Sequence, residues 1–470
     1  MKMLLNGEWV GRDETLAVRD PQDGSLVDTV PRASAADMRA AVDAAVSGFA
    51  RARAMPVHRR VAVLRKTAAT LAAEHETFAR LIAREGIKTI REARKEVTRC
   101  IETLRISAAE ARRLHGETVP FDQMPGSENR VGYYSREPIG VIGAITPFND
   151  PLNLVAHKVG PALAGGNAVI VKPDSKTPLS ALRLARAIHD AGLPPGVLQV
   201  IPGPGREIGD ALVTDPRVRM ISFTGGLATG QAIMAKVGLK KVGMELGSNC
   251  PVIVMADADL ALALAANVSG AFWAAGQNCL HVQRLLLQDG IYEAFRARFV
   301  AAAAAYQVGD KQDEATDMGP LINETAAIGV EKRVNEAVQA GATLLTGGRR
   351  HGAFYDPTVL ENVPDSVSLA CDEIYGPVTV LYRFSDLDEA LARANAVDYG
   401  LQAGIFTRDL QTAFRAAAAL EYGAVMVNDS TDYRIDAMPF GGVKGSGLGR
   451  EGIQFALQEM TEPKLVCFSL

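Results

Sequence analysis

Val141-Ile142-Gly143-Ala144-Ile145-Thr146, followed by a helically spaced stretch over 153–164 and by Ala168-Val169-Ile170-Val171-Lys172, decides the fold of this chain. The outer pieces are nearly continuous apolar runs of strand length. Strands buried on both faces read this way, and strand, helix and strand in succession make a parallel βαβ unit. Outward from there the alternation continues. Residues 178–191 read as a helix, 197–201 as a strand and 207–213 as a short helix; 218–224 and 241–245 read as strands. A second alternating series runs from Pro251 to about Asn428, with strands at 282–288, 378–384 and 424–428 and a helix at 292–306. Upstream, residues 35–114 are helical, with an apolar stripe of Val97, Ile101, Leu104 and Ala108. Residues 1–30 alternate turn formers with short β-like pieces. Two stretches break the pattern. Residues 116–136 are interrupted by Pro120, Pro125 and Gly126 and carry an exposed strand at Val131-Gly132-Tyr133-Tyr134, and the tail 462–470 is β-like. The fold class is α/β.

With 470 residues the chain is long enough for two or three domains. A net charge of −4 argues against nucleic acid or an anionic membrane as the main partner. The five cysteines are widely spaced with no C-x-x-C pair, which argues for a reducing compartment and against a metal knuckle or a disulfide framework. The apolar run at 260–275 is shorter than the roughly 20 residues of a membrane span, and the start lacks a signal-peptide run. A cytoplasmic protein is expected, with no metal.

Polar residues at the predicted strand ends carry the chemistry, because ligands of open α/β sheets bind beyond the carboxyl ends of the strands. Thr146-Pro147-Phe148-Asn149-Asp150-Pro151 places a side-chain amide where it can donate to a developing oxyanion. Lys172-Pro173-Asp174-Ser175 places an ammonium where ribose hydroxyls or a phosphate would sit. Phe223-Thr224-Gly225-Gly226 lets a pyrophosphate approach a helix N-terminus closely. Met244-Glu245-Leu246-Gly247 offers a carboxylate in apolar surroundings, suited to a general base. Gly276-Gln277-Asn278-Cys279-Leu280-His281 sets a cysteine between an apolar helix and a strand. Each motif alone also fits an ordinary turn, a solvated lysine or a packed core thiol.

Taken in order, Phe-Asn after a strand, Lys-Pro, Phe-Thr-Gly, Glu-Leu-Gly, Gly-Gln-x-Cys, Glu-Ile-x-Gly-Pro and Pro-Phe-Gly-Gly-x-Lys resemble the aldehyde dehydrogenase superfamily over essentially the whole chain. The resemblance implies a Rossmann-like NAD(P)-binding domain at 1–116 and 139–247. It also implies an α/β catalytic domain at 248–455, and a small β oligomerisation flap at 117–138 and 456–470. It makes Cys279 the nucleophile, Asn149 an oxyanion donor and Glu245 the base that activates water, with Lys158 and Glu462 supporting proton transfer. NADP or NAD would lie against Ile145, Thr146, Pro147, Phe148, Lys172, Ser175, Phe223, Thr224, Gly225, Gly226, Leu246, Glu373 and Tyr375. A homodimer or homotetramer is implied.

The presence of Glu245 argues for a hydrolytic rather than a CoA-acylating enzyme. Ser175 stands where NAD-preferring members often carry glutamate, so NADP is expected to be accepted. His157, His281 and Arg434 resemble the subgroup acting on lactaldehyde, phosphonoacetaldehyde or semialdehydes, and Arg105 is expected to point inward beside them, with Arg99 pointing away into solvent. A small anionic or hydroxylated aldehyde is the expected substrate. The alternatives are a broad medium-chain aldehyde oxidiser, a thiol esterase needing no cofactor, and a catalytically idle family member.

Overall fold

The computed structural model describes all 470 residues. Its first sheet has eight strands. Five are parallel and lie in the order Leu198–Val200, Ala168–Lys172, Val141–Ile145, Val218–Thr224 and Lys241–Glu245. The strand first in the chain is in the middle, so the order reverses between Val141–Ile145 and Val218–Thr224. A crevice opens beyond their carboxyl ends at such a switch point. Both faces are covered, and the side chains alternate accordingly. Ile142, Ala144, Val169 and Val171 belong to one core with the Val57–Ala73 and Ile90–Glu110 helices; Val141, Ile145, Ile170 and Ile221 belong to another with Ala35–Ala54. No helix is long and apolar enough to cross a membrane.

The helical region expected at 35–114 is four helices: Ala35–Ala54, Val57–Ala73, His75–Glu85 and Ile90–Glu110. Two of them begin with reciprocal capping boxes, Ser34 with Asp37 and Thr89 with Glu92.

The second sheet has seven strands, with Cys250–Val254 paired in parallel to Val282–Gln288 on one side and to Gln402–Phe406 on the other. Only Leu246 to Asn249 separate its first strand from the Glu245 end of the first sheet. The carboxyl edge of one sheet therefore faces the amino edge of the other. A third, three-stranded sheet joins Glu117–Val119, Arg130–Pro138 and Thr461–Ser469 and leaves Val131, Leu465 and Phe468 exposed.

One partition differs from the expected one. Gly447–Leu448 is an antiparallel strand of the first sheet, opposite Met244 and Glu245, and Ile453–Glu459 packs Leu457 into the core beneath that sheet. The chain thus returns to the first unit before residue 455, and the flap strand starts at Thr461. The reason is packing: Ile453, Ala456, Leu457 and Met460 form a buried face that an exposed flap has nowhere to bury.

Arg284, in the middle of the second sheet, is 2% exposed and donates to the carbonyls of Asn249, Arg393 and Ala394 and to the Tyr422 hydroxyl. It ties the link between the sheets to the second core. Arg284→Met strips three buried carbonyls of their donor and should lower stability by about 3 kcal/mol or more. Urea denaturation of the variant and the natural chain measures the difference.

Candidate functional site

The crevice at the switch point is a cleft of 880 Å³. Ile145, Thr146, Pro147, Phe148 and Asn149 enter it from the end of Val141–Ile145, and Phe223, Thr224, Gly225 and Gly226 from the end of Val218–Thr224. Lys172 and Leu246 close the first sheet's side. Cys279, Glu373 and Tyr375 reach it from the second unit. Phe148 and Tyr375 meet edge to face across the gap, ring centroids 5.8 Å apart.

Cys279 is half-buried at the inner end. Its thiol is pushed well above the ordinary range by burial; Arg434 pulls it down and Glu245 pushes it further up. Asn149 is buried and its amide makes no hydrogen bond within the protein, with Oδ1 left partnerless. A buried amide without a partner is costly unless a ligand supplies one.

Glu245 is buried, with Oε2 unpartnered. Burial, then the charge of Glu451, raises its carboxyl well above the ordinary range. Glu451 goes the other way. Burial works against its ionisation, but Lys158 and Arg434 outweigh this and hold it low. Lys158 Nζ donates to Glu451 Oε1 at 3.0 Å and to the Ser222 hydroxyl at 3.0 Å; Arg434 donates to Glu451 Oε2 at 3.0 Å. A cavity of 20 Å³ lined by Glu245, Glu451, Ser222 and His157 among others has room for about one water.

The cleft has the features of a dinucleotide site. Lys172 carries a buried ammonium whose one hydrogen bond in the protein goes to the Pro173 carbonyl, and no carboxylate pairs with it. The Thr146 and Thr224 hydroxyls are buried without partners. Gly226 has open space where a side chain would project. Glu373, raised to about 7 chiefly by burial, accepts the Ser248 N–H at 2.9 Å through Oε1 and keeps Oε2 free of hydrogen bonds.

The expected substrate residues divide. His157 and Arg434 come together: Arg434 lies 3.5 Å from His157 Nδ1 and stacks 3.6 Å over the Phe440 ring. Burial and then Arg434 lower the His157 pKa, so the imidazole is neutral, and its Nε2 bonds Asp436 at 2.7 Å. His281 is buried and pushed down to about 3, chiefly by burial, with Nε2 unpartnered.

Three expectations need correction. Glu462 lies exposed on the flap strand and pairs with Lys241 at 3.3 Å, whereas the partner of Lys158 is Glu451. Arg105 is exposed and pairs with Glu102 on its own helix; Arg99 is the inward one, donating to Asp436 at 2.7 Å. The sequence held a signal for this. Glu92, Glu96, Arg99 and Thr103 recur at helical spacing as a second, polar stripe beside the apolar one. Ser175 turns its hydroxyl to the Gly203 carbonyl at 2.9 Å and lines a neighbouring hollow with Asp20 to Gly24 instead of the cleft.

Residues 9–466 match the model of the aldehyde dehydrogenase family. The chain is 53% identical over 455 residues to aspartate-semialdehyde dehydrogenase 1 of Pseudomonas canavaninivorans, covering 97% of each chain. It superposes with a TM-score of 0.97 and 41% identity on aldehyde dehydrogenase 21 of Physcomitrella patens in complex with the reaction product succinate, covering 100% of this chain and 98% of that one. It superposes equally, at 0.97 and 38% identity, on the NADP-dependent glyceraldehyde-3-phosphate dehydrogenase of Bacillus halodurans C-125 complexed with NADP, covering 100% and 99%.

Arg434 is the one cation that lowers the Cys279 pKa, so its removal has a definite sign. In Arg434→Met, alkylation of Cys279 by iodoacetamide, followed by peptide mass mapping, should rise at a higher pH than in the natural chain. An unshifted profile would mean that the guanidinium charge is spent wholly on Glu451.

Proposed function

The chain belongs to the aldehyde dehydrogenase family, and on that premise we propose that it oxidises a short anionic or hydroxylated aldehyde to its carboxylic acid through an acyl group carried on Cys279. The observation that carries the reading is that a thiol and an unpartnered amide line one cleft, with the buried carboxyl of Glu245, its pKa raised by burial, close enough to act on the thiol's charge.

The Cys279 thiolate attacks the carbonyl carbon, and Asn149 Nδ2 with the Cys279 backbone N–H receives the oxyanion. NADP or NAD would be held by Lys172 at the ribose, by the Thr224-Gly225-Gly226 turn at the pyrophosphate and by Glu373 at the second ribose. When bound it supplies the hydride acceptor that converts the thiohemiacetal on Cys279 to a thioester. The absence of a glutamate at Ser175, with Arg206 lining the cleft beside Lys172, supports acceptance of a 2′-phosphate. Glu245 then takes a proton from the attacking water, and the single-water cavity is lined by both Glu245 and Glu451, which Lys158 bonds. The base must first be ionised, so hydrolysis gains as pH rises through the elevated Glu245 pKa.

Charge supports the choice of aldehyde. Lys158 and Arg434 both bond Glu451 and no other carboxylate, while Arg99 pairs with Asp436. Two cations sharing one bonded carboxylate leave positive charge beside the nucleophile. A second anion, the substrate's carboxylate, sulfonate or phosphonate, compensates it.

Rapid mixing with a short anionic aldehyde and NADP tests the reading. Cys279→Ala should abolish reduced-cofactor formation. Glu245→Gln should give a burst of one equivalent with slow turnover that no longer rises with pH, while the natural chain's steady-state rate rises. Full steady-state activity in Cys279→Ala would sink it. Arg434→Met should cost an anionic aldehyde about 2–4 kcal/mol more in kcat/KM than a neutral aldehyde of equal length. Equal losses would make Arg434 purely structural.

A further inference from the structure

The two groups assigned to one oxyanion come from different units. Asn149 follows a strand of the first sheet; the Cys279 N–H precedes a strand of the second. Neither sheet fixes the distance between them, but the Ile90–Glu110 helix touches the backbone of both. Glu92 Oε2 accepts the Thr89 N–H at 2.8 Å as a capping box requires, and its Oε1 accepts the N–H of Ala274 at 2.8 Å, five residues before Cys279. One turn later, Glu96 Oε1 accepts the N–H groups of Leu152 at 2.8 Å and Asn153 at 3.0 Å, just after Asn149. Its Oε2 receives Lys88 Nζ at 2.9 Å, and Lys88 also pairs with Asp150, the neighbour of Asn149. Glu92 is 4% exposed, Glu96 1% and Lys88 3%.

Buried carboxylates are costly, and capping explains one oxygen of one of them. What they hold is also costly. Ala274 and Ala275 sit at φ 51° and 54° and Gly276 at 67°, three left-handed residues in a row, which persist only where the surroundings over-determine them. We infer that Glu92 and Glu96 form a two-armed positioning device. Glu96, with Lys88, sets the Asn149 turn, Glu92 sets the cysteine loop, and their spacing on one rigid helix fixes the separation of the two oxyanion donors. The inference rests on the acyl-cysteine reading above.

Each arm should act through its own donor, which separates positioning from general stability. An amide keeps one acceptor oxygen and turns its NH2 toward a second donor, a backbone N–H at Glu92 and the Lys88 ammonium at Glu96, so glutamine removes the charge and one bond of each arm without changing its size. In rapid mixing, Glu92→Gln and Glu96→Gln should each slow the burst by about 10- to 100-fold, as expected for a misplaced reacting group, with KM and NADP affinity little changed. With Asn149→Ala as background, Glu96→Gln should lose nearly all of its effect, because its donor is already gone, while Glu92→Gln keeps its full effect. Should a glutamine variant not fold, aspartate at the same position carries the same test, since it keeps the charge and both acceptors but shortens the reach. Equal fold-losses for Glu96→Gln with and without Asn149, or unchanged burst rates in both single variants, would overturn the proposal. A Glu245→Gln chain that gives no burst would overturn the acyl-cysteine reading and this inference with it.

Discussion

Four residues, Leu246 to Asn249, join the last residue of a strand in one parallel sheet to the first residue of a strand in another. Five steps along the chain separate Glu245 from Cys250 and span about 18 Å at most when fully extended, so the carboxyl edge of the first sheet has to lie against the amino edge of the second. Register does the rest. Glu245 sits beside Thr224, and Phe223 beside Ile145, which brings the Glu245 carboxyl, the glycine turn and the Asn149 turn to one edge. Across the gap Val282 sits beside Cys250, which brings Cys279 to the other edge. The link leaves no slack: a side chain at Gly247 would come within 2.4 Å of the Glu373 carboxylate, which also accepts the Ser248 N–H.

Closing two sheets over a site excludes water and makes every charge inside it count. Two carboxylic acids share this interior, and their surroundings push them apart. Glu451 collects two cations and stays ionised; Glu245 has none bonded to it and is pushed toward the protonated form. Such a split between neighbours is the arrangement that separates a structural anion from a working base. Arg434 serves both sides of it. Stacking on Phe440 holds its plane while one nitrogen bonds Glu451, and its charge also reaches Cys279.

Much of this was legible in the sequence, and the misses have a common cause. Continuous apolar runs such as Val169-Ile170-Val171 mark doubly covered strands by composition alone, and the polar residue closing each run faces the cleft because parallel strands end there. Partners distant in the chain leave no such trace. Glu462 and Glu451 are both acids in the C-terminal stretch, and only packing distinguishes them: one sits on an exposed strand, the other two residues before the buried start of the Ile453–Glu459 helix. Arg105 and Arg99 lie on one helix, and the apolar stripe that identifies its buried face does not reveal that the helix beginning at Asn153 and the loop carrying Asp436 cover a polar flank as well.

Backbone strain gathers at one further contact. Tyr375 has a φ of 50°, and such non-glycine residues cost about 1–3 kcal/mol each. It adjoins Gly376, whose carbonyl lies where a side chain on Gly276 would be, 2.1 Å from the position of its Cβ. The loop that carries Glu373 and Tyr375 and the loop that carries Cys279 therefore pack backbone to backbone, with no side chain between them to absorb displacement. Gln277 extends the lock by donating to the carbonyls of Ala274 and Pro320 and accepting the Ile322 N–H. Tyr375, which lines the cleft, and Cys279 are therefore carried on two loops in direct backbone contact, with the left-handed residues of each placed at that contact.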